Sequence, residues 1–278
     1  MDETTFLEYL SYPFVQNALV AGVMISLCAA LLGVPLVLRR LSFIGDGLSH
    51  VAFGAMAVAG VMNFSDSMVL SLPVTVAAAL LLMRAGRGAN TGGDAMLAML
   101  SVGAMAVGYL VMNLNPSSSN VSGDVCTTLF GSVSILTLTT LDMWLSIGLS
   151  AAVCVLWLLS YHHVFDMTFD EAYARASGAR AGLFNAVAAA VVAVVIVISM
   201  RLVGTLLVSS LLVVPAVAAM RVAKSFKAVC AVAAAFTVVC SLAGILIAVV
   251  AGTPVGSTIV GADIVAFLAM ALIGRILK

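Results

Sequence analysis

Nine stretches of near-continuous apolar residues run along the chain, at 14–38, 42–61, 67–83, 95–112, 141–161, 181–200, 203–220, 228–250 and 256–276. Polar and charged residues collect in the short gaps between them. A helix needs about 20 mostly apolar residues to cross a bilayer. Strands of a membrane barrel would alternate apolar and polar positions, and these runs do not. The pattern predicts an all-α fold, a polytopic membrane bundle of about eight to nine transmembrane helices in one domain over residues 1–278. The first run is longer than a signal-peptide core and has an acidic flank in Asp2, Glu3 and Glu8. It reads as a retained helix.

Composition sharpens this picture. The hydrophobic share is 63% and the charged share 9%, with a mean hydropathy of +1.23. A soluble domain is about 45–50% apolar and about 25% charged, so an ordinary soluble enzyme and a disordered protein are excluded. Lys and Arg number 12 and Asp and Glu 12, without the basic excess that a nucleic-acid partner requires. The five cysteines form no CxxC pair: Cys28, Cys154, Cys230 and Cys240 lie inside apolar runs, and Cys126 stands alone in a polar loop. A thiol in an apolar run behaves as a small hydrophobe.

The cations orient the bundle, because cytoplasmic loops are enriched in Lys and Arg. Placing the loops after the first, third, fifth and seventh runs and the C-terminus inside puts 11 of the 12 cations in the cytoplasm. Only Arg201 is then outside, and the N-terminus is outside. The mildly apolar segment 126–140 is the place where a re-entrant dip would change this count. Pro35, Pro73 and Pro215 sit within runs, where a proline kinks or breaks a helix. Gly54, Ala57 and Gly60, with Gly103 and Gly108, are small residues that permit close helix contact.

Asp46 and His50 are the first candidates for chemistry. They are four residues apart, on one face of a helix with Cβ atoms about 5–6 Å apart. A carboxylate oxygen and an imidazole nitrogen so placed share one divalent cation. Two plainer readings stand beside this one. Asp46, between Gly45 and Gly47, serves as a helix N-cap, or the two side chains simply pair with each other. If the second helix starts at Ser42, His50 lies about 12 Å along it, near the mid-bilayer depth of transporter substrate sites. Asp263 is a second acid within an apolar run, either facing a polar interior or meeting water at the outer interface. His162 and His163 read as surface residues at the inner end of the fifth run, and Asn120 to Ser122 has the form of a glycosylation sequon.

The gap at 165–180 differs in kind. Thr168 and Glu171 have the spacing of a capping box, and Gly178 of a helix stop. This predicts a cytoplasmic helix of about two turns, with Phe169 and Tyr173 as an i, i+4 aromatic pair. The pair either docks a partner or packs on its own bundle. Among motifs, no G-x-x-x-x-G-K-[ST], H-E-x-x-H or G-x-S-x-G occurs. The chain therefore carries neither the P-loop grip on ATP nor a recognisable hydrolase constellation.

These segments resemble the permease subunit of the ATP-binding-cassette importers for zinc and manganese. The resemblance rests on RRLSFIGDGLSH at 39–50, LFGS at 129–132, FDEAYARASG at 169–178 and VGTLLVSSLLVVPA at 203–216. It implies a non-enzymatic permease domain in a bacterial inner or plasma membrane. It also implies no permanently bound cofactor, with Zn²⁺ or Mn²⁺ as the transported substrate. Asp46 and His50 match the family's metal-contacting pair. The segment 165–180 matches its cytoplasmic coupling loop, which makes Phe169, Asp170, Glu171, Tyr173, Arg175 and Gly178 the ATPase-coupling residues. The implied partners are an ATPase subunit, an extracytoplasmic metal-binding protein and a second permease chain in a homodimer. A permease for another cargo, such as an iron chelate, and a stand-alone secondary metal transporter are the competing readings.

Overall fold

A computed structural model describes residues 12–64, 66–85, 93–114, 140–178 and 180–276. Among these residues there are eleven helices and no strand. In chain order they are α1 (Pro13–Leu38), α2 (Ile44–Val61), α3 (Met68–Ala85), α4 (Gly93–Leu114), α5 (Thr140–Leu159) and α6 (Tyr161–Phe169). They continue with α7 (Glu171–Ala176), α8 (Ala181–Val203), α9 (Thr205–Val222), α10 (Phe226–Ala251) and α11 (Val255–Ile276). Eight are long and apolar enough to cross a membrane, and α3 adds a shorter apolar stretch, Met68–Met83. The expected bundle of eight to nine spans is thus the observed one. Asp2, Glu3, Glu8, Arg87, the sequon, Cys126, the segment 126–139 and the LFGS stretch lie outside the described residues.

Helices α1, α2 and α9 form the centre. Helix α1 packs on α5, α9 and α10, α2 packs on α3, α4 and α9, and α9 also meets α10 and α11. The main core joins Ile25 and Ala29 of α1, Leu48 and Val51 of α2, Ile196 of α8, and Leu207 and Leu211 of α9. The outer faces of α4, α5 and α11 carry exposed apolar side chains such as Met99, Val102, Leu158, Leu159 and Val265. In a bilayer this is the face toward lipid, where no water opposes it.

Small residues set how closely the central helices approach. A Cβ at Gly54 would lie 2.5 Å from the Ala104 carbonyl oxygen, and one at Gly108 would lie 2.9 Å from the Gly54 Cα. Those two glycines let α2 and α4 approach closely. Gly60 and Gly103 have nothing within 4 Å of an added Cβ, so only part of the expected small-residue stripe is used. Pro35, Pro73 and Pro215 lie inside α1, α3 and α9 as the runs implied.

The sixth and seventh spans meet at a single residue. The sequence placed their boundary at Arg201 and Leu202, but α8 continues to Val203 and the corner is Gly204, at φ 90° and ψ 161°. That region of backbone space is essentially closed to residues with a Cβ.

The end of the bundle that carries α6 and α7 is held by an aromatic cluster. Phe226, at the start of α10, lies 6.5 Å from Trp157, 5.5 Å from Phe165 and 5.9 Å from Phe169, between ring centroids. These rings join α5, α6 and α10. Helix α6 therefore extends the fifth span as a separate helix through residues that the sequence assigned to loop.

Candidate functional site

Asp46 and His50 lie in the first half of α2, and the structure brings them together. Helix α2 starts at Ile44 with Phe43 as its N-cap, and no side chain caps it. The N-cap reading of Asp46 is therefore corrected: Asp46 sits inside the first turn. There its negative charge is favoured by the helix dipole. The later start also places His50 about 9 Å along the helix, shallower than the sequence implied. Gly45 and Gly47 serve packing. Added Cβ atoms there would lie 2.7 Å from Leu212 Cδ1 of α9 and 2.5 Å from Leu97 Cδ1 of α4. The two glycines let α9 and α4 close on both sides of Asp46.

The geometry of the pair is informative. His50 Nε2 stands 3.6 Å from Asp46 Oδ1, with the imidazole 15% exposed and the carboxylate 44% exposed. That separation exceeds the 2.7–3.2 Å or so of an N–H···O hydrogen bond. It lies within the range of an ion pair between the two side chains, the plainer reading, and it also fits two ligands of one ion. With bonds of about 2.1 Å to nitrogen and oxygen, a tetrahedral angle separates the ligand atoms by about 3.4 Å. A separation of 3.6 Å corresponds to an angle of about 118° at the same bond lengths. His50 Nδ1 is buried and has no hydrogen-bond partner among the described residues. Among the described residues no group of three or more His, Cys, Asp and Glu side chains gathers. Among the described residues, one chain thus brings together one carboxylate and one imidazole here.

Asp263 is placed differently from either expectation. It is fully buried in α11, neither of its oxygens has a hydrogen-bond partner among the described residues, and Cys240 of α10 is its polar neighbour. It does not join Asp46 and His50. His162 and His163 are exposed, as read, and Cys28, Cys154, Cys230 and Cys240 are free thiols.

The segment 165–180 departs from its expected form. Thr168 does not cap a helix; α6 continues through it, and its hydroxyl donates to the Val164 carbonyl at 2.5 Å. Asp170 is the cap of α7, where its Oδ1 accepts the Tyr173 N–H at 2.8 Å. Phe169 and Tyr173 consequently lie on two helices either side of this cap, and the Phe169 ring packs tilted against Phe165, 4.9 Å between centroids. Gly178, at φ 92°, ends the turn as predicted.

The hairpin has two faces. Met167 and Ala174 are buried against Ala181 and Phe184 of α8. Tyr173, 65% exposed, and Phe169, 59% exposed, face away. Glu171 points inward and accepts from Arg39 Nη2 at 3.1 Å and from Asn185 Nδ2 at 3.3 Å, and it also pairs with Arg175. Asn185 was not singled out from the sequence. The signal for it was an amide four residues into the apolar run at 181–200, a polar group that needs partners in a membrane bundle.

The model of the ABC 3 transport family matches residues 11–274 of the chain. The chain belongs to the ABC 3 transport family. A metal transport system membrane protein of Treponema pallidum is 31% identical over 224 residues, covering 78% of this chain and 79% of that protein. The manganese import system permease protein ScaB of Streptococcus gordonii is 26% identical over 257 residues, covering 92% and 90%. Among solved structures, PsaBC from Streptococcus pneumoniae in complex with Fab matches at a TM-score of 0.83 and 25% identity, over 96% of this chain and 94% of that one. Family membership and the eight long apolar helices make this a multi-pass membrane transport protein.

Proposed function

We propose that this chain is the membrane-spanning permease of an ABC importer that moves a divalent transition metal, manganese or zinc. It works as one transport domain with a coupling loop at 165–180. The observation that carries the reading is the 3.6 Å separation of Asp46 Oδ1 and His50 Nε2, a metal bite on a central helix. Two copies of the chain, each giving one carboxylate and one imidazole, would complete a four-ligand site. Such N and O donors suit Zn²⁺ and accept Mn²⁺. The manganese import and metal transport descriptions of the relatives support this cargo. The ion is substrate, so the site must release it, and no resident cofactor or chemical catalysis is required.

Energy comes from a separate ATPase subunit, since the chain has no P-loop, and an extracytoplasmic binding protein delivers the ion. The exposed Tyr173 and the exposed edge of Phe169 are the surface offered to the ATPase, with Asp170 and Gly178 fixing the turn and Glu171 and Arg175 bracing it. Tyr173→Ala is expected to cut the amount of ATPase subunit that co-purifies by about tenfold, the equivalent of about 1.4 kcal/mol. Unchanged co-purification would remove Tyr173 from the interface.

The test is metal accumulation in cells that lack their own manganese and zinc importers. Expression with the partner ATPase and binding protein should raise cell manganese or zinc, and expression without the ATPase should not. No rise in either metal would reject the cargo, and a rise without the ATPase would reject the ABC mechanism.

A further inference from the structure

Arg39 is the first residue after α1, and its guanidinium forks between two elements far away in sequence. Nη1 donates to Asn185 Oδ1 of α8 at 2.8 Å, and Nη2 donates to Glu171 Oε2 of α7 at 3.1 Å. Asn185 Nδ2 then donates to Glu171 Oε1 at 3.3 Å, which closes a triangle of three side chains. Asn185 is only 2% exposed. The Arg39 side chain is 19% exposed and that of Glu171 29%, so the ring lies mostly out of water. A planar guanidinium fixes both partners in direction as well as distance.

The chain from Arg39 to α2 is stiff. The end of α1 closes with Arg40 N–H on the Val37 carbonyl at 3.0 Å and Leu41 N–H on the Leu36 carbonyl at 2.8 Å. This is a Schellman closure with Arg40 at φ 59°. Ile44 N–H then bonds the Leu41 carbonyl at 3.1 Å, and Gly47 N–H the Phe43 carbonyl at 2.9 Å. Hydrogen-bonded backbone thus runs from Arg39 into the turn of α2 that carries Asp46, with His50 one turn further on. With these bonds kept, a displacement of α7 would pull on Arg39 through Glu171 and reach α2 through the turn.

We propose that the Arg39–Glu171–Asn185 triangle is the link through which movement of the ATPase-facing helix α7 reaches Asp46 and His50. The three are positioning residues that set how much metal moves per ATP hydrolysed. The inference rests on the import reading above and deepens it. It separates an outward face of the hairpin, carrying Tyr173, from an inward clamp closed by contacts within the chain.

The experiment uses the complete complex of permease, ATPase subunit and binding protein in lipid vesicles, with Mn²⁺ uptake and ATP hydrolysis measured together. Arg39→Gln and Asn185→Leu are each expected to leave the ATPase subunit bound and hydrolysing, while Mn²⁺ moved per ATP falls about tenfold, a typical coupling energy. Adding Glu171→Gln to Arg39→Gln should cost little more than either change alone, since one link is already broken. Asn185→Leu fills the same space without the amide and guards against a simple packing defect in the arginine variant. Wild-type Mn²⁺ per ATP in both single variants would overturn the proposal. So would loss of the ATPase subunit, because the triangle would then be part of the docking surface. Wild-type complex that moves neither Mn²⁺ nor Zn²⁺ on addition of ATP would reject the import reading itself, a result distinct from the other two.

Discussion

Replacing His50 with alanine is expected to lower metal accumulation by at least about 10- to 100-fold, the range seen when a metal site loses only a group that supports its ligands. The complex should still assemble and its ATPase should still turn over. The reason lies in the half-site. Each chain offers one nitrogen and one carboxylate oxygen, 3.6 Å apart, and alanine leaves the carboxylate alone. Alanine is itself a strong helix former, so α2 should persist. A histidine that only packed in the bundle would give the opposite pattern, wild-type accumulation with a modest loss of stability. Cell manganese and zinc, measured at equal permease abundance, separate the two cases. Asp46→Asn keeps the side-chain size and removes the charge, and it should reduce accumulation in the same direction.

Gly33→Ala is expected to destabilise the protein by about 3 kcal/mol or more. Gly33 is buried on α1, and a Cβ there would collide with the Leu212 carbonyl oxygen of α9 and lie 3.0 Å from the Leu212 Cα. The obstacle is backbone, so no side-chain rotation relieves it, and α1 and α9 must separate. Overpacking of this kind typically costs about 1–3 kcal/mol and sometimes more, well above the gain of about 1 kcal/mol from helix propensity. The damage also reaches the site, because the Leu212 side chain packs beside Gly45, next to Asp46. Gly103→Ala is the matched control, with nothing within 4 Å of its added Cβ. Thermal unfolding in detergent should show a large fall for Gly33→Ala and none for Gly103→Ala. Equal midpoints would mean that α1 and α9 do not meet as described.

The spans were legible in the sequence because continuous apolar runs of this length have one use. Asp46 and His50 were legible because their spacing is local. The helix start was not: RRLSFIGDG offers Ser42 as a start and Asp46 as a cap, and the chain uses neither. Thr168 with Glu171 fits a capping box as well as Asp170 fits a simple cap. The choice turned on whether α6 continued through Thr168, which rests on the packing of Phe165 and Met167. Gly45 and Gly47 looked like the flanks of a cap, yet their role depends on Leu212 and Leu97 from other helices. The Arg39 fork was hidden for the same reason. Its partners lie 132 and 146 residues away, and no periodicity links positions so distant. Only the assembled bundle shows that one arginine, read from sequence as a marker of the cytoplasmic side, holds α7 and α8 to the turn before Asp46 and His50.

Ligation of the passing ion by His50 is tested most directly by pulsed electron paramagnetic resonance of Mn²⁺ loaded onto the purified permease–ATPase complex without the binding protein. A ligating imidazole gives the manganese spin a nitrogen coupling that water and carboxylate do not. Ligation by His50 predicts this coupling in the wild type and its loss in His50→Ala. A manganese signal with no nitrogen coupling in the wild type, or one unchanged in His50→Ala, would contradict it.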